Sequence, residues 1–137
     1  MKISKPILIV EDDQVDQETV RRAFKEIKVA NQLVVTQNGE EALAYLRSGE
    51  KEKPCLVLAD IKMPRMNGLE FLRIMKEDKE LRRIPIIILT SSRQERDRAA
   101  SFDCSVAGYM VKPAEYKQFV EIIRTIDFYW TLNELPD

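Results

Sequence analysis

A chain of 137 residues has the size of one ordinary domain and can bury about two-thirds of its unfolded surface without disulfide or metal staples. Twenty-two basic residues against 23 acidic ones leave a formal charge of −1, which supplies no field for holding a polyanion, so non-specific nucleic-acid binding is not expected. With 45% hydrophobic residues, 33% charged residues and no histidine, the composition is that of a soluble globular protein, and any imidazole chemistry has to come from a partner. Cys55 and Cys104 are too few and too isolated for a disulfide framework or a zinc knuckle, so reduced thiols and a cytoplasmic location are the expectation. The first apolar run stops at Glu11-Asp12-Asp13, far short of a signal peptide or a membrane-spanning helix.

Along the chain, short apolar runs alternate with stretches of helical spacing. The first run is Ile7-Leu8-Ile9-Val10, followed by Val20, Ala23, Phe24 and Ile27 at i, i+3, i+4 and i+7, the stripe of an amphipathic helix. Leu33-Val34-Val35 is shorter and runs into Thr36-Gln37, as an edge strand would; Ala42, Leu43 and Leu46 then mark a helix after Asn38-Gly39. Leu56-Val57-Leu58-Ala59 precedes a helix carrying Leu69, Leu72 and Met75 after Asn67-Gly68. Ile86-Ile87-Ile88-Leu89 precedes a loosely held helix over residues 93–103, which offers only Ala99, Ala100 and Phe102 to a core. Ala107-Gly108-Tyr109-Met110-Val111 leads to a last helix with Tyr116, Phe119, Val120 and Ile123 on one face. All runs but the second are continuously apolar and read as strands covered on both faces. The pattern predicts an α/β fold: a doubly wound, five-stranded parallel sheet with five helices.

In such a sheet the ligand site lies beyond the carboxyl ends of the strands. Glu11-Asp12-Asp13, Asp60, Thr90-Ser91 and Lys112-Pro113 occupy those ends. Clustered carboxylates need a cation among them, and oxygen ligands without Cys or His point to a hard divalent ion such as Mg²⁺. Acids held beside a lysine and a hydroxyl suit phosphoryl transfer, where the protein mainly positions groups and neutralises charge. Asp13 is equally readable as an N-cap of the first helix or as a metal group. Met63, Met66 and Met75 read as packing residues, and Gly68 as a backbone demand in the loop after Asp60.

Order, spacing and strand-end placement of residues 7–13, 56–68 (LVLADIKMPRMNG), 86–91 and 108–113 (GYMVKP) resemble the receiver domain of two-component response regulators, over about residues 5–127. Residues 129–136 (YWTLNELP) also resemble the tail of single-domain receivers linked to phytochrome-type and related sensor kinases. The resemblance implies a flavodoxin-like strand order 2-1-3-4-5, a receiver over residues 1–129, a tail over 130–137 and no effector domain. It makes Asp60 the acceptor of a phosphoryl group from a phosphohistidine on a sensor histidine kinase or phosphotransfer protein, so the chain is a signalling phosphoprotein and not an enzyme. Asp12, Asp60 and the backbone carbonyl of Lys62 would hold Mg²⁺, with Glu11 acting through a water. Lys112, across a cis bond to Pro113, would pair with the phosphoryl oxygens; Thr90 would donate its hydroxyl, and Tyr109 would move inward as Thr90 moves. Tyr109 is otherwise readable as an ordinary buried aromatic. Ala114, where many receivers carry a larger apolar residue, departs from the pattern.

Rival functions lack their residues. A dehalogenase-like phosphatase needs a second Asp two positions beyond its nucleophile, where this chain has Lys62. A nucleotide switch needs a phosphate-cradling glycine loop, and the four glycines lie scattered at 39, 49, 68 and 108. A DNA-binding regulator needs an effector domain, for which the residues after the last helix are too few. Output is therefore expected through protein contact, on the face made by residues 93–127. Phe128, Tyr129 and Trp130 fall where the last helix should end, and such apolar surface needs a cover: the chain's own core or, as the resemblance implies, a second copy in a homodimer.

Overall fold

The computed structural model describes residues 5–132. Its elements alternate as the sequence pattern predicts: β1 (Ile7–Val10), α1 (Gln14–Glu26), β2 (Leu33–Thr36), α2 (Gly39–Arg47), β3 (Leu56–Ala59), α3 (Gly68–Glu77), β4 (Ile86–Thr90), α4 (Glu95–Asp103), β5 (Gly108–Val111) and α5 (Tyr116–Leu132). The five strands are all parallel in the order β2-β1-β3-β4-β5. Successive side chains of a strand point to opposite faces, so Leu8, Val10, Val57, Ala59, Ile86 and Ile88 pack with α2 and α3, whereas Ile7, Ile9, Leu56, Leu58, Ile87 and Leu89 pack with α1 and α5. No helix among the described residues is long and apolar enough to cross a membrane.

Three helices start on Asx caps. Asp13, Asn38 and Asn67 accept from the backbone N–H three residues on, at 3.1, 2.9 and 2.9 Å, satisfying donors that a helix start leaves free. Of the two readings of Asp13, the structure carries the cap. α4 lacks a side-chain cap on Gln94 and buries only Ser101, in keeping with its sparse apolar spacing. Two expectations need correction. β5 is not covered on both faces: it is the second edge of the sheet, and all four residues are half-buried, because α4 brings too few apolar side chains to close over it. The last helix does not end near residue 127 but continues to Leu132, carrying Phe128, Tyr129 and Trp130 on helical turns; of the tail expected over 130–137, residues 133–137 lie outside the described residues.

Candidate functional site

Where β1, β3 and β5 end, the ladder continues for one more bond each: Asp60 N–H donates to the Val10 carbonyl at 3.0 Å, Glu11 N–H to that of Thr36 at 2.9 Å and Lys112 N–H to that of Thr90, the last residue of β4, at 2.7 Å. The backbones that carry Glu11, Asp60, Thr90 and Lys112 are thereby fixed at one edge of a rigid sheet. Glu11, Asp60 and Thr90 are buried.

Lys112 is the centre of the site. Its ammonium donates to Glu11, to Asp16 Oδ2 at 2.8 Å and to Asp60 Oδ2 at 3.0 Å. Asp60 Oδ1 accepts from the N–H of Ile61 at 2.7 Å, and Glu11 Oε2 from that of Asp13 at 3.2 Å. Burial pushes the Glu11 carboxyl up to about 7, although Lys112 opposes this and the charge of Asp60 adds to it. Burial alone would lower the Lys112 ammonium, but its bonds to Asp16 and Glu11 and the charge of Asp60 raise it above its ordinary value, so it remains a cation. The Lys112–Pro113 peptide bond is trans, correcting the cis bond that the resemblance implied; the ammonium reaches Asp60 without it.

Carboxylate oxygens of Glu11, Asp16 and Asp60 lie within 4.8 Å of one another, a hard-oxygen donor set that suits Mg²⁺. Asp16 escaped the sequence reading because it lies inside α1 rather than at a strand end. Asp12 is exposed and lines a cleft of about 550 Å³ with Ile61, Lys62, Met63, Gln94 and Arg96.

Thr90 is wholly buried, and its hydroxyl oxygen accepts from the N–H of Ser92 at 3.3 Å. Tyr109 is half-buried; its hydroxyl donates to the Ser92 carbonyl at 3.0 Å, and the Arg98 guanidinium stands 5.8 Å from its ring centre. Ser92 donates its hydroxyl to Asp97 at 2.6 Å and accepts from the N–H of Gln94. The loop between β4 and α4 is thus tied to β5 through Tyr109 and to α4 through Asp97.

Gly68 closes the other side. A Cβ on it would lie 2.1 Å from the Asp60 carbonyl oxygen, so glycine is required by close approach and not by a left-handed backbone. Its N–H donates to the Ile61 carbonyl at 2.9 Å, pinning the loop that follows Asp60.

The model of the response regulator receiver domain matches residues 7–124. The chain belongs to the response regulator receiver family. This receiver is 33% identical over 130 residues to the response regulator Rcp1 of Synechocystis sp., covering 92% of this chain and 88% of Rcp1. It superposes on the crystal structure of the phosphorylated cyanobacterial phytochrome response regulator RcpA with a TM-score of 0.90 and 35% identity, covering 97% and 99% of the two chains. It superposes on the Mn²⁺-bound form of Rcp1 with a TM-score of 0.88 and 32% identity, again covering 97% and 99%. Receivers bind Mg²⁺ through acidic residues, and the Glu11, Asp16 and Asp60 cluster offers such residues here.

Proposed function

We propose that this receiver accepts a phosphoryl group on Asp60 from a phosphohistidine of a partner sensor histidine kinase and signals through protein contact. The observation that carries the reading is the Lys112 ammonium held 3.0 Å from Asp60 Oδ2 at the end of a parallel sheet, a cation waiting where phosphoryl charge would arrive. The carboxylate oxygen of Asp60 attacks phosphorus, the P–N bond to the partner's imidazole breaks, and the nitrogen keeps the electron pair. Lys112 pairs with the phosphoryl oxygens and Thr90 donates its hydroxyl to them. Asp12, Asp60 and the Lys62 carbonyl, with Glu11 beside them, would hold Mg²⁺. Bound there, Mg²⁺ supplies positive charge for the equatorial phosphoryl oxygens.

Similarity to RcpA, a phytochrome response regulator by name, supports a kinase of the phytochrome type as donor. Such a donor and the free thiols of Cys55 and Cys104 support a cytoplasmic location. As Thr90 turns toward the phosphoryl group, Tyr109 leaves the Ser92 carbonyl and the change is read on the face of α4, β5 and α5, where a homodimer forms.

Intact mass with Mg²⁺ and a small phosphodonor tests the assignment. The parent chain gains one phosphoryl mass that is lost with chelator, and Asp60→Asn gains none; equal labelling of the Asn variant would overturn it.

A further inference from the structure

Three acids take up the three donors of the Lys112 ammonium. Glu11 and Asp60, 5% and 9% exposed, stand at strand ends, whereas Asp16, 40% exposed, stands on α1. The origin of the Asp16 side chain is fixed in the first turn, because its own N–H is donated to the Asp13 cap. A divalent cation that takes oxygens from Glu11 and Asp60 competes with the ammonium for those oxygens and repels it. Lys112, only 11% exposed, would then be a nearly buried cation short of acceptors, which is costly. We propose that Asp16 is a positioning residue: it retains Lys112 when Glu11 and Asp60 turn to the metal, and so keeps the ammonium beside Asp60 for the phosphoryl group. This rests on the reading of the strand-end acids as an Mg²⁺ site.

The consequence is an indirect one: Asp16 favours metal binding by giving the displaced ammonium somewhere to go. It does not need to touch the metal.

Calorimetric titration of the unphosphorylated chain with MgCl₂ tests this in a double-mutant cycle of Asp16→Asn and Lys112→Met. Asp16→Asn weakens Mg²⁺ binding by about threefold or more, the size set by a partly exposed ion pair. Lys112→Met binds more tightly than the parent, since the competing cation is gone. In the Lys112→Met background, adding Asp16→Asn changes nothing beyond error. Asp16→Glu, which keeps the charge, recovers affinity, and thermal melts confirm that each variant is folded. An equal loss on Asp16→Asn with and without Lys112 would show that Asp16 acts on the metal directly and would overturn the proposal, as would no loss in either background. A parent chain that binds no Mg²⁺ overturns the metal-site reading and this inference together.

Discussion

Lys62 is two residues beyond Asp60 and lines the same cleft as Asp12 and Arg96. The resemblance to receivers implies that this position, with Ser92 two beyond Thr90, flanks the approach of the hydrolytic water. Ser92 is committed elsewhere, its hydroxyl bonded to Asp97 at 2.6 Å. Lys62 is exposed and can pair with phosphoryl oxygens, crowding that path. Lys62→Asn is therefore expected to speed loss of the phosphoryl group about tenfold, or about 1.4 kcal/mol in the barrier; unchanged decay of the label would count against this role. The cysteines give an independent test of burial. Burial pushes the Cys55 thiol above its ordinary value, outweighing its backbone bond and the charge of Lys5, whereas Cys104 is partly exposed at the end of α4. Because the thiolate is the reactive form, a raised value leaves less of it at any given pH and moves alkylation of Cys55 to more alkaline conditions. One thiol should react fast near pH 8, Cys104→Ser should remove that phase, and two equally fast thiols would contradict the buried position. At this scale the strand-end groups were legible because a parallel sheet forces its strand ends to one edge. Asp16 was not, since nothing in a linear pattern says that a helical acid leans toward a lysine 96 positions away.

Among the elements, the segment between β3 and α3 is under the tightest constraint. Arg65 takes a left-handed backbone, φ 63°, within ion-pair reach of Glu40 at 3.6 Å, and the Met66 carbonyl accepts from the N–H of Gly39. Gly68 lies against the Asp60 carbonyl with no room for a Cβ, and both neighbours are backbone, which cannot step aside. Gly68→Ala should destabilise the fold by roughly 3 kcal/mol, the upper end of overpacking costs, read as a lower urea midpoint with unchanged slope. Gly49→Ala, with nothing within 4 Å of the added carbon, serves as the control and should be near neutral. A Gly68 variant as stable as the Gly49 one would mean that the loop after Asp60 yields freely. The sequence already placed a backbone demand at Gly68, but its kind was not legible: close approach and a positive φ both select glycine. β5 misled for a different reason. A continuously apolar run marks a buried strand only when both neighbouring layers are filled, and α4, with Ser101 its only buried residue, leaves that strand half open.

At the scale of the whole molecule, α5 is the element that reaches beyond the domain's own core. Ile123, Ile126 and Trp130 face the sheet and are buried, while Phe128, Tyr129 and Leu132 on the same turns are 67%, 55% and 68% exposed. Trp130 therefore belongs to the core, and its Nε1 is a buried side-chain nitrogen without a hydrogen-bond partner among the described residues. Phe102 on α4, 53% exposed, adds a further apolar side chain from the helix on the other side of β5. A two-fold related copy would lay these side chains against their own equivalents, the self-matching arrangement that a symmetric dimer requires, and large apolar residues suit the centre of such an interface. Truncation after Asp127 would remove Trp130 and confuse folding with association. Phe128→Asp with Leu132→Asp avoids this, because both side chains are exposed and surface changes of this kind move stability by no more than about 0.5 kcal/mol. Sedimentation across a concentration series should show a dimer for the parent and a monomer for the double variant, with closely similar melting temperatures. A parent that sediments as a monomer throughout would sink the dimer. A variant that stays monomeric but melts far earlier would show that these side chains cover the domain's own core after all.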